Sequence, residues 1–144
     1  MQNPPPVQMS SQPPAQTAKS STGLDENVAA LLSYIFGWVS GLVFFLIEKD
    51  SRLVRFHAMQ SLLFNVVVAV VAIVLWVVLF VFFLIVSQVS SALASILGLL
   101  SVLVWLVFGV AILAGWILCL LKAFQSQYFK LPVIGNFAEK FSAK

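Results

Sequence analysis

The sequence predicts an all-α membrane protein: three transmembrane helices, an interfacial amphipathic start to the second helix, and an amphipathic carboxyl-terminal tail. Three observations lead there. The 144 residues are 61% hydrophobic and only 9% charged, with a mean hydropathy of +1.05. Soluble domains carry about 25% charged residues, so this chain has too little polar surface to face water. Its apolar residues fall into three runs of membrane-crossing length, and charged residues flank those runs without interrupting them.

Residues 1–22 are rich in Pro, Gln and Ser and nearly free of aliphatic side chains. Such a segment buries too little apolar surface to offset the entropy of ordering, and is expected to be a disordered tail. It lacks the basic start and apolar centre of a secretory signal. Residues 23–144 then form one membrane domain. Thr22 and Asp25 have capping-box spacing, and Asp25 and Glu26 suit the positive end of a helix dipole. The run 28–47 rises about 30 Å as one helix, enough for a first span, and Glu48, Lys49 and Asp50 end it.

Asp50 and Ser51 are good caps for the second helix, and no Gly or Pro interrupts 51–86. Its first ten or so residues are expected at the interface and 62–86 in the membrane. The β-branched residues of that run do not alternate with polar ones, which excludes a barrel strand. A short uncharged link, SQVSS at 87–91, precedes a third run over 92–121. At about 45 Å that run is too long for an upright span but too short for two, and places the third span at about 96–121. In the tail, Phe124, Tyr128 and Phe129 stand among lysines as interfacial residues do. Pro132 and Gly135 mark a turn, and 136–141 a short surface helix.

Three spans put the amino-terminal tail and the 87–91 link on one side of the membrane. That side carries Lys19 alone, whereas the other carries Lys49, Arg52, Arg55, Lys122, Lys130, Lys140 and Lys144. The positive-inside rule then predicts a multi-pass protein of the cell (cytoplasmic) membrane, amino terminus outside and carboxyl terminus in the cytoplasm. The net charge of +3 flanks apolar segments, so anionic lipid headgroups on the cytoplasmic side are the expected partner and nucleic acid is not.

The stretch VRFHAMQS, 54–61, holds the sole histidine, His57, and Gln60 three residues on. A step of about 100° per residue puts Leu53, Phe56, His57, Gln60 and Phe64 on one face. Arg52, Arg55 and Met59 fall on the opposite face, toward headgroups. Two roles compete for His57: a tie between helices, or a proton relay or ligand. With no second His, Cys or inward carboxylate beside it, no metal site is expected, and the structural role is the preferred one. Asn65 is the one polar residue in the second span. Small residues recur at intervals of four, Ser33, Gly37 and Gly41 on the first span and Ala111, Gly115 and Cys119 on the third. They offer seams for close helix packing within the chain, and beyond it to a homo-oligomer or a membrane-protein partner.

The segments IEKDSRLVRFHAMQSLLF and FKLPVIGNFAEK resemble the Tic20-like small membrane proteins of bacteria and archaea, also called DUF4870. The likeness runs over about residues 25–140, and Arg55, Phe56, His57, Gln60, Leu131, Pro132 and Gly135 match its motif positions. Ser126 stands where a small residue, often Gly, is expected. The resemblance implies a multi-pass protein of the cytoplasmic membrane with a link to protein translocation or insertion.

The sequence shows no nucleophile with a base, no phosphate loop and no zinc motif, so neither catalytic nor cofactor-binding residues are expected. The preferred function is a non-catalytic structural or assembly subunit of a membrane complex. The alternative is a component of an oligomeric channel or transporter, for which Asn65 is the candidate lining residue.

Overall fold

The computed structural model describes residues 18–132 and 134–142, and among these the regular structure is helical. The first apolar run is not one span. It breaks at Phe36 and Gly37 into two ten-residue helices, α1 (Glu26–Ile35) and α2 (Trp38–Ile47). Gly37 has φ +60°, a left-handed conformation natural to glycine. Each helix is about 15 Å long, half the thickness of a hydrocarbon core.

The two helices run antiparallel, and their outer ends are tied together. Ser21 donates its N–H and its hydroxyl to the Glu48 carboxylate at 3.0 and 2.8 Å, and the Ser51 hydroxyl donates to Glu26. The run therefore doubles back, and residues 18–26 share one end of the molecule with residues 48–55. The expectation of three spans is not met among the described residues: the first run forms two helices each too short to cross, and residue 19 lies at the same end as 48–55 rather than opposite it. A glycine in the left-handed region with serines on both sides of it lets the chain reverse where a continuous helix was expected.

Among the described residues two helices are long and apolar enough to cross a membrane: α3 (Arg52–Val89) and α4 (Ser91–Phe124). Ser51 caps α3, accepting from the Val54 N–H at 3.2 Å. The uncharged link shrinks to Ser90, whose extended backbone ends α3 and whose hydroxyl oxygen accepts from the Leu93 N–H to start α4. The short surface helix is α5 (Ile134–Ser142). At the amino end, Asp25 sits at the N-cap without a side-chain bond, so the Thr22–Asp25 capping box does not form. A turn instead brings the Ser20 N–H to Leu24 O and the Glu26 N–H to Ala18 O. Residues 18–22 of the tail expected to be disordered over 1–22 are held in this turn, and residues 1–17 lie outside the described residues.

Helix α3 contacts every other helix, α1 packs against both α3 and α4, and α2 reaches α3 and α1. The core sits at the charged end, where Ala29, Ala30, Tyr34, Val54, Cys119 and Ala123 are buried together. Past the tip of the α1–α2 hairpin, α3 and α4 have only each other. Side chains there face outward, with Ile73 63% and Leu99 69% exposed, as lipid-facing residues should be.

The small-residue seams are realised only as far as the hairpin reaches. Gly41 is buried where a Cβ would lie 2.9 Å from the Ala58 carbonyl, and Gly115 faces the Phe64 ring. Ala111, one turn further along α4, is exposed. Gly41→Val is predicted to force α2 off α3, a cost of about 1–3 kcal/mol. It should lower the thermal midpoint of the detergent-solubilised protein, whereas Gly98→Ala, where a Cβ meets nothing within 4 Å, should leave it unchanged or slightly raised.

Candidate functional site

A hairpin that turns inside apolar surroundings exposes backbone N–H and C=O groups with no water to meet them. Side chains from three helices do so here. The Ser40 hydroxyl accepts from the Phe36 N–H at 3.1 Å and lies 3.0 Å from Ser33 O and 3.2 Å from Gly37 O, to either of which it donates. Ser61 of α3 donates its hydroxyl to Gly37 O at 3.2 Å, and Trp116 of α4 donates its indole N–H to Tyr34 O at 3.2 Å. Asn65 donates to Ser61 O at 2.8 Å, and its carboxamide oxygen lies 3.1 Å from where a Gly37 Cβ would sit.

Below the tip, the Tyr34 hydroxyl meets His57 Nδ1 at 3.2 Å, and His57 Nε2 meets Gln127 O at 3.0 Å. A carbonyl only accepts, so Nε2 carries the proton and Nδ1 accepts from tyrosine. Both ring nitrogens of a neutral, fully buried imidazole are thereby satisfied. Phe56 stands edge-on to the His57 ring at 5.2 Å and tilts against Tyr128 at 5.4 Å, which extends the packing to the 125–131 segment. Gln60 donates to Cys119 Sγ at 3.7 Å, while its carboxamide oxygen is buried without a partner among the described residues.

The third part is a knot around Glu48, whose side chain is fully buried. Besides Ser21, its carboxylate accepts from the N–H groups of Asp50 at 3.0 Å and Ser51 at 2.9 Å. Burial works to raise its pKa, but the bonds from Ser51, Ser21 and Asp50 outweigh this and hold the carboxyl below its ordinary range. Arg55 is not turned to the headgroups as its helical position suggested. It donates to Glu48 O at 2.9 Å and lies over the Phe45 ring at 5.1 Å, because the carbonyl at the end of α2 sits within reach.

Of the residues singled out in the sequence, Phe56, His57 and Gln60 thus converge on one cluster, Arg55 joins the Glu48 knot, and Asn65 sits at the hairpin tip. Pro132 and Gly135 lie apart, at the entry to α5, where the Gly135 N–H bonds Leu131 O and its Cα packs on Lys130. Sequence reasoning missed Tyr34, Ser40, Glu48, Ser61 and Trp116. A tyrosine and a serine inside a supposed lipid-facing span were the available signal. A shallow groove of about 320 Å³ opens beside the cluster, lined by Arg52, Phe56, Tyr128, Glu139 and Ser142. Among the described residues no three His, Cys, Asp or Glu side chains come close enough to hold a metal ion.

Residues 24–138 match the magnetosome magnetite crystal formation protein family, MamF/MmsF. The chain belongs to this family. It is 35% identical over 127 residues to the UPF0132 membrane protein MJ1443 of Methanocaldococcus jannaschii, covering 86% of this chain and 94% of that one. A UPF0132 membrane protein of Archaeoglobus fulgidus is 36% identical over 117 residues, 81% of this chain and 95% of its own. No solved structure matches. These relatives are membrane proteins, and with α3 and α4 both of crossing length this chain is one too. The match corrects the Tic20-like, DUF4870 resemblance: the family is a different one, and the implied link to protein translocation falls with it.

The Glu48 knot has a pH signature. A carboxyl with a folded pKa below its unfolded value of about 4.3 contributes stability above that value. The contribution is lost as pH falls through the folded pKa. Glu48→Gln is therefore predicted to lower the thermal midpoint by several degrees at neutral pH. The gap to the unmodified protein should close as pH drops below about 4, as followed by thermal denaturation in a mild detergent across an acid series.

Proposed function

We propose that this protein is a non-catalytic structural or assembly subunit of a membrane complex, seated in the cell membrane with its charged end in the cytoplasm. The observation that carries the reading is how its polar groups are divided. Of those inside the fold, Ser33, Tyr34, Ser40, Glu48, His57 and Ser61 are engaged with the chain's own backbone or with one another, and Gln60 bonds Cys119 while its carboxamide oxygen has no partner among the described residues. The exposed charged groups gather at a single end, where Lys49, Asp50, Arg52, Lys130 and Lys140 stand with Phe124, Tyr128, Phe137 and Phe141, and the far turn carries only uncharged polar residues such as Gln88 and Ser91. Such a surface suits anionic headgroups and a protein partner or second copy better than a reaction.

The hairpin simplifies the charge argument. Lys19 now joins Lys49, Arg52, Arg55, Lys122, Lys130 and Lys140 at the same end, which supports a cytoplasmic location for that end under the positive-inside rule. The family's description concerns magnetite crystal formation. The architecture favours, for this chain, organising a membrane-bound assembly over binding mineral directly. The channel alternative gains nothing from Asn65, which turns toward the hairpin tip.

A photo-reactive side chain placed at Phe137, 53% exposed on α5, is predicted to give a discrete protein adduct in native membranes. The same group at Val74, 56% exposed in the lipid-facing part of α3, should give only lipid adducts. Protein adducts from position 74 with none from 137 would contradict the reading.

A further inference from the structure

We infer that the protein acts on the bilayer itself, as a wedge in one leaflet that favours membrane convex on the side of its charged end. The basis is an asymmetry along the bundle axis. At the charged end five helices are present, because α1, α2 and α5 pack around the start of α3 and the end of α4. At the opposite end, among the described residues, only α3 and α4 remain. The difference amounts to three additional helices, each about 10 Å across.

The hairpin is confined to one leaflet by its own length and anchors. Its arms of ten residues reach no deeper than about 15 Å, half of a ~30 Å hydrocarbon core. Glu26 and Glu48 fix both outer ends among charged residues at the interface. Its outward surface nonetheless requires apolar surroundings: Phe36 is 75%, Trp38 58% and Leu46 66% exposed. Acyl chains of the near leaflet must cover these side chains, and nothing equivalent among the described residues enters the far leaflet. Helix α5 adds to the same side, since its buried face holds Gly135, Ala138 and Ser142 against α3 while Phe137 and Phe141 point outward beside Lys140. Short amphipathic segments seated at the headgroup boundary respond to curvature, and here one is fused to a built-in insert. A body wider in one leaflet than in the other expands the first and is least strained where that leaflet is convex.

Purified protein in giant vesicles tests this with no partner present, so recruitment of another protein neither produces nor hides the effect. A dye is attached through Lys49→Cys, an exposed position at the charged end; Cys119 is fully buried and stays unlabelled. A membrane-impermeant quencher distinguishes molecules whose charged end faces out from those facing in. Narrow tubes are then pulled outward from the vesicles. Outward-facing molecules should be denser in the tube than in the parent vesicle by roughly twofold or more, and inward-facing ones depleted. Equal densities for both orientations, or sorting in the same sense for both, would overturn the inference.

Discussion

A chain that reverses direction inside a bilayer must find hydrogen-bond partners for the backbone at its turning point, because lipid supplies none. That requirement organises this protein. The reversal at Phe36 and Gly37 leaves the Phe36 amide and the carbonyls at the end of α1 short of helical partners, and Ser40 and Trp116 meet them, while Ser61 adds a second bond to Gly37 O beside that from the Gly41 N–H. Each bond fixes the position of the helix that provides it. The register of α1 against α4, and of the tip against α3, follows from where these few polar side chains stand. The close contact of Gly41 with the Ala58 carbonyl then allows α2 to lie flat on α3.

The same reasoning explains the lone imidazole. His57 is held neutral between a tyrosine hydroxyl and a backbone carbonyl, with no vacant nitrogen to offer a metal or a proton path. It joins α1, α3 and the segment after α4 at one point. An unmade hydrogen bond at a buried site costs about 1–3 kcal/mol, so a residue meeting two partners across three segments matters to the fold. Glu48 does comparable work one layer nearer the aqueous surface, where a single carboxylate gathers the amino-terminal turn, the end of α2 and the cap of α3.

How much of this was legible in the sequence depended on the signal each part left. The two long helices were plain, because twenty and more unbroken apolar residues have one outcome in lipid. The convergence of Phe56, His57 and Gln60 followed from helical periodicity. The hairpin did not, because Ser33, Gly37 and Gly41 satisfy two patterns at once: a packing seam on a continuous helix and a hinge between two short ones. Hydropathy is blind to the difference, since both alternatives place the same apolar side chains in lipid. What separates them is the partners of the turn, Ser61 and Trp116, which are distant in sequence and meet only in the fold. The orientation argument inherited the same ambiguity, as one crossing more or fewer moves Lys19 from one face to the other.

With the hairpin in place, the charged residues, the buried cluster and the wide part of the bundle all belong to one end of the molecule, and this end is predicted to lie at one face of the membrane. Labelling with a membrane-impermeant thiol reagent in sealed, oriented vesicles tests that arrangement most directly, using Lys19→Cys, Lys49→Cys and Gln88→Cys singly. Positions 19 and 49 are predicted to react from the same side and position 88 from the other. Reaction of position 19 from the side of position 88 would mean that residues 26–47 cross the bilayer as one helix.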